Sequence, residues 1–223
     1  MMSVALKEKT MPEDKREMPI RQMKGETPLR HLNGKMSKNK KSINTKAPEP
    51  IDMVEDAGVY LLMEEIDFYS IKPVIEFIVK ENIKKKHDKL TLMIMTPGGN
   101  TWACFALVDA MRGSRIPIET VGVGVVASAG LDIFIAGHHR VLTPNTMILS
   151  HQFAAGAYGK AHELIASQKE FKQLDDIVMR HYKKFTKLKV KEIKTKLMPA
   201  SDVWLTAKDA VKLTLADEIR DPD

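Results

Sequence analysis

Only one cysteine, Cys104, occurs in the 223 residues, which excludes a disulfide framework and a thiolate cluster around a metal. Such scarcity makes a reducing, cytoplasmic compartment the expected setting. Nowhere does the chain offer the ~18–20 successive apolar residues of a membrane-spanning helix, so no membrane is expected as a partner. The first fifty residues have no apolar block between their charges, which argues against a secretory signal peptide. Low-complexity tracts and internal repeats are missing from residues 51–223. Seven histidines are present, but no pair has metal-ligand spacing with a third ligand, so neither metal nor cofactor is expected.

An excess of one charge sign is confined to one segment. The formal net charge is +6, and residues 1–50 hold 12 Lys/Arg against 6 Asp/Glu, leaving 23 of each in the other 173. Stretches such as 34–41 have no hydrophobic period and too little apolar surface to offset chain entropy. Residues 1–50 therefore read as a basic, mostly disordered leader or propeptide, ending near Ala47-Pro48-Glu49-Pro50. Six acids in it argue against an organellar transit peptide. The electroneutral remainder makes nucleic acid an unexpected partner; a nucleic-acid role would rest on the tail alone, as salt-dependent binding lost with residues 1–50.

With 43% hydrophobic side chains, residues 51–223 can build one core. The spacing predicts a strand at 59–63, a helix over 70–84, a strand at 90–95 and a helix ended by Gly113. A strand at 118–123, a short buried helix over 129–136 and strands around Val141 and 147–149 follow. An amphipathic helix spans 161–185, with Leu164, Phe171, Leu174 and Val178 on one stripe. Thr206 to Asp209 reads as a capping box for a last helix. Strand-turn-helix units in succession imply an α/β fold with parallel strands.

Two turns carry potential chemistry. Pro97-Gly98-Gly99 ends a strand and opens a helix, leaving outward amides at a positive helix end that a substrate backbone can approach closely. Ser128, at a second strand-to-helix turn among Ala and Gly, is either an exposed nucleophile or a packing and capping residue. Val126 excludes the Gly-x-Ser-x-Gly elbow of α/β-hydrolases. His151 closes an apolar strand, as a general base or as a hydrogen-bonded boundary residue. Asp202 is a candidate acid, with Asp132, Asp175, Asp176, Asp209 and Asp217 as rivals that chemistry alone does not separate.

In order, these pieces resemble the proteolytic subunit of the Clp protease family. That family shows Ser-Pro-Gly-Gly, Ala-Ser-Met-Gly, His-Gln-Pro and an Asp before an aromatic-Leu-Ser/Thr-Ala stretch. Here they read Thr96-Pro97-Gly98-Gly99, Ala127-Ser128-Ala129-Gly130, His151-Gln152-Phe153 and Asp202-Val203-Trp204-Leu205-Thr206-Ala207. The separations are 29 residues from Gly99 to Ser128, 23 to His151 and 51 more to Asp202. The likeness covers about residues 58–220. The departures are Ala129 for Met, Phe153 for Pro, Ser150 for an apolar residue, and Ser201 for an arginine that couples ring assembly to the site.

The resemblance implies a spiral of β-β-α units with a protruding long helix, a fold shared with crotonases. It implies a serine endopeptidase with Ser128 as nucleophile, His151 as base and Asp202 as orienter. Gly99 and Ala129 would supply the oxyanion-hole amides, while Gly98, Phe153 and Ala154 would flank the substrate. Implied partners are polypeptide substrates, further copies of the chain in stacked, usually heptameric rings (a tetradecamer), and an AAA+ unfoldase; phage relatives instead mature capsid or scaffold proteins. Competing expectations are a catalytically inactive subunit and a crotonase-type acyl-CoA enzyme. A signal-peptide-peptidase relative, using Ser and Lys, lacks support because a histidine stands at the fitting position.

Overall fold

The computed structural model describes residues 54–221, and the expected leader over residues 1–50 lies outside them. The strands are β1 (Val59–Leu62), β2 (Leu90–Thr96), β3 (Ile118–Ala127), β4 (His139–Leu142), β5 (Met147–Ser150), β6 (Val203–Thr206) and β7 (Glu218–Ile219). The helices are α1 (Phe68–Lys84), α2 (Thr101–Gly113), α3 (Ala129–Ile135), α4 (Ala161–Phe185), α5 (Val190–Glu192) and α6 (Ala207–Lys212), with a π-helical turn at Ile193–Leu197 after α5. Among the described residues the strands form one seven-stranded sheet, ordered β1-β2-β3-β4-β7, with β5 beside β3 and β6 beside β5. Every pairing is parallel except β5 with β6. The expected α/β architecture is therefore present.

Local pattern explains the elements. In β2 the residues Leu90, Leu92, Ile94 and Thr96 are buried, one face of a period-two strand. In α1 the buried Ile71, Val74, Phe77 and Ile78 recur at helical spacing. This helix starts two residues before the expected Ser70, because Asp67 Oδ1 accepts from the backbone N–H groups of Tyr69 and Ser70, both at 2.7 Å. Phe68 and Tyr69 are exposed, so the first turn leaves no mark in the apolar period. The fully buried Leu107, Met111, Leu131 and Phe134 join α2 and α3 to the sheet in one core.

Two differences bear on the site. Strand β3 runs to Ala127 rather than stopping at Val123. It forks: Glu119–Gly122 pair with β4, and Val125–Ala127 pair with β5. Between them the register against β2 jumps, Ile94 facing Gly122 but Thr96 facing Val126, and Gly124 takes φ +61°. That irregularity bends the strand and hid its continuation. Helix α4 has the expected bounds, yet of its stripe only Leu174 and Val178 are buried while Leu164 stays exposed. Its first half stands in solvent.

Candidate active site

The sheet gathers the candidate residues at one end. Thr96 pairs with Val126, so the Pro97-Gly98-Gly99 turn lies beside Ala127 and Ser128. Ala127 pairs with Leu149, and Ser128 N–H donates to the Leu149 carbonyl at 2.9 Å, which places Ser128 near His151 two residues on. Ser150 and Val203 close the antiparallel ladder, so His151 and Asp202 leave the two strands at the same end. Three parallel strands thus end at this point, the usual location of α/β sites. Ser128 and His151 line one cavity, and His151 and Asp202 line a second of about 130 Å³.

Ser128 holds φ 54° and ψ −124°, a conformation that costs a non-glycine residue on the order of 1–3 kcal/mol. Its backbone is pinned on both sides, the N–H to Leu149 and the carbonyl accepting from Leu131 N–H at 2.8 Å. The glycine turn is fixed too. Gly98 N–H donates to Thr96 Oγ1 at 3.1 Å, and the Ile66 amide and carbonyl bracket Gly99 through Gly98 O (2.7 Å) and Asn100 N–H (2.6 Å). Among the described residues, neither Gly99 N–H nor Ala129 N–H donates to a protein acceptor. A Cβ on Gly98 would lie 2.7 Å from Ser128 Cβ and 3.2 Å from Ala129 N, so the two turns touch. Gly98→Ala is accordingly expected to displace Ser128 and cut its reactivity by roughly 10²-fold or more, read as the rate of covalent labelling by a fluorophosphonate.

The three polar side chains are neighbours without being joined. His151 Nδ1 is held by the Gln152 carbonyl at 2.5 Å, not by Asp202, and Asp202 is exposed. Gln152 Nε2 in turn donates to the carbonyls of Met198 and Pro199 at 3.0 and 3.2 Å. Phe153 rests edge-on against Phe171 of α4, and Ala154 is exposed in a stretch without regular structure. Four of the five rivals lie elsewhere: Asp209 accepts from Thr206 in the capping box of α6, Asp217 binds Arg140, and Asp175 and Asp176 sit exposed on α4.

A Clp protease family model matches residues 44–223. The chain belongs to the Clp protease family. It is 30% identical over 136 residues to the ATP-dependent Clp protease proteolytic subunit of Deinococcus radiodurans, covering 60% of this chain and 66% of that one. The Chlorella vulgaris subunit of the same name is 26% identical, over 72% of this chain and 80% of its own. Proteolytic subunit 1 of Corynebacterium diphtheriae is also 26% identical, over 79% and 85%. Within this Clp-type frame, Ser150 has a structural reason: its buried hydroxyl donates to the Leu197 carbonyl of the π-helical turn at 2.8 Å.

Sequence reasoning left Asp132 among the rival acids, and no spacing signal marks its place. It lies on α3, one turn after Ser128, and lines the same cavity as Ser128, Ala129 and His151. Burial pushes its carboxyl up to about 7, with only a hydrogen bond to Tyr182 pulling the other way. Its Oδ1 is buried without a hydrogen-bond partner, while its backbone carbonyl meets His181 Nε2 at 2.7 Å. Burial holds His181 down to about 4, and it raises the thiol of Cys104 and the hydroxyl of Tyr182 well above their ordinary values.

The two shifts act on stability with opposite signs. Asp132, raised from 3.8 to about 7, contributes stability fully present below its ordinary value and lost as pH rises through about 7. His181, lowered from 6.5 to about 4, contributes stability present above 6.5 and lost as pH falls through about 4. Asp132→Asn removes only the first. It is expected to raise Tm at about pH 9 by several degrees, for a cost relieved on the order of 4 kcal/mol at most, and to give little or no gain near pH 5. Thermal unfolding at the two pH values checks this.

Proposed function

We propose that the chain is a serine endopeptidase that hydrolyses peptide bonds in proteins with Ser128, His151 and Asp202. The observation that carries this reading is that His151 and Asp202 stand directly beyond the last β5–β6 pair, Ser150–Val203, and line one cavity, beside a strained Ser128 and two uncommitted amides. Ser128 Oγ attacks the scissile carbonyl carbon while His151 Nε2 takes its proton. The resulting oxyanion accepts hydrogen bonds from Gly99 and Ala129 N–H. His151 passes the proton to the departing amine, and water then hydrolyses the acyl-Ser128 ester by the same route. Asp202 fixes the imidazole tautomer and stabilises the imidazolium.

For that sequence the His151 ring must leave the Gln152 carbonyl and turn its Nδ1–H to Asp202. Substrate pairing along Gln152, Phe153 and Ala154, beside Gly98, would straighten this irregular stretch and draw the carbonyl away. The same contact favours a second reading, a subunit inactive until another chain or a substrate rearranges it. Relatives are named ATP-dependent proteolytic subunits, so an AAA+ unfoldase is the fitting partner. The exposed first half of α4, with Leu164 and Ile165 in solvent, suits contact between copies in a ring. No described helix is long and apolar enough to cross a membrane. Self-cleavage of residues 1–50 as a leader and a cytoplasmic setting belong to the same proposal, and phage maturation is the alternative to work with an unfoldase.

The test is incubation of the full chain with a fluorophosphonate and with an unfolded protein. An adduct on Ser128 and fragments from the unfolded protein are expected; no adduct and no fragments would sink the reading. Intact mass would show the leader removed in active protein only. Sedimentation showing monomer alone at every concentration would remove the ring.

A further inference from the structure

The two residues flanking His151 grip one turn. On one side the buried Ser150 Oγ donates to the Leu197 carbonyl at 2.8 Å. On the other, Gln152 Nε2 donates to the next two carbonyls, those of Met198 (3.0 Å) and Pro199 (3.2 Å). All three acceptors stand at or just past the end of the π-helical turn, where carbonyls lack partners inside the helix. The two grips differ in permanence. Ser150 belongs to the β5–β6 ladder, whereas Gln152 is exposed. Residues 152–158 make no backbone–backbone hydrogen bond to another described residue. The Gln152 side-chain amide therefore sets where its own carbonyl points, and that carbonyl holds His151 Nδ1. Among the described residues His151 has no hydrogen bond to Ser128 or to Asp202.

Resting on the serine-peptidase reading, we propose that Gln152 is a positioning residue: its amide, clamped on the Met198 and Pro199 carbonyls, holds His151 in a resting orientation. Releasing the clamp lets the ring turn Nδ1–H to Asp202 and Nε2 to Ser128 Oγ. His151, Gln152, Pro199 and Asp202 line one cavity of about 130 Å³, which leaves room for the ring to swing and for water to take Gln152's place. The buried Ser150 grip keeps the turn in place meanwhile, and with it the segment that leads to Asp202. The exchange is close to even. Two neutral hydrogen bonds pass to water, and a neutral acceptor at Nδ1 is replaced by a carboxylate, the stronger partner. A peptide pairing along 152–154 is then enough to tip it.

The experiment compares the full-length wild type with Gln152→Met, which keeps the length and loses the donors, and Gln152→Glu, which offers the two carbonyls only acceptors. A small fluorophosphonate reacts with Ser128 without pairing along 152–154, so its labelling rate reads the resting orientation. Hydrolysis of a fluorogenic peptide reads the released one. Both variants are expected to label roughly 3–10-fold faster than wild type, the scale of one neutral hydrogen bond. Peptide kcat is expected to stay within about 2-fold, because bound substrate has already opened the clamp. A merely structural role would lower both rates together. In an Asp202→Asn background the gain in labelling is expected to vanish, since the freed ring then has no carboxylate to turn to. Labelling unchanged or slowed in both variants, or a gain that persists without the Asp202 carboxylate, would overturn the clamp. Ser128 labelled in those cases leaves the peptidase reading standing, whereas no labelling and no cleavage in any variant removes both.

Discussion

Ser128→Ala is expected to lower peptide hydrolysis on the order of 10⁶-fold and to abolish fluorophosphonate labelling. A serine hydroxyl is a poor nucleophile at neutral pH, and nothing else in its cavity replaces it: Thr101 is the other hydroxyl-bearing aliphatic side chain there, at the first turn of α2. His151→Ala should cost nearly as much, and the double variant little more, because the two act as one unit. Fluorogenic peptide assays and intact mass give both readouts. Residual turnover within about 100-fold of wild type in Ser128→Ala would mean that the chemistry runs through another group.

The second large effect concerns the acid. Asp202→Asn is expected to reduce kcat by about 10⁴-fold while leaving the fold in place, since the amide would hold His151 in the wrong tautomer. Asp176→Asn, on the exposed side of α4, serves as the control and should change little. Asp202 is exposed and makes no hydrogen bond or ion pair with His151 in the structure, so its case rests on their shared place at the end of the β5–β6 ladder and in one cavity. If Asp202→Asn retains turnover within about 10-fold, the acid must be sought in the Ser128 cavity, where Asp132 is the carboxyl at hand.

The periodic elements were legible in the sequence. The bounds of α4 and the ends of α2 and β2 follow from apolar spacing and from Gly113, and the alternation of elements gives the parallel sheet. What escaped has local causes. The last four residues of β3 lie past Gly122 and begin at Gly124, where a bulge interrupts the pairing that a strand signal assumes. Strand β6 is only four residues long and antiparallel to its partner, yet it is what brings residue 202 to residue 151 across a gap of 51. Asp132 was indistinguishable from its rivals because what sets it apart is burial in the cavity beside Ser128. A charged residue on a short helix carries no sign of that.

The backbone at position 128 has one more consequence. Glycine would sit at φ 54° without the penalty the serine bears, so Ser128→Gly is expected to give a steadier protein and, under the proposed mechanism, an idle one. Under that mechanism, variants that keep the shape and abandon the reaction lie downhill in folding energy, and the strained serine is what the reaction costs the fold.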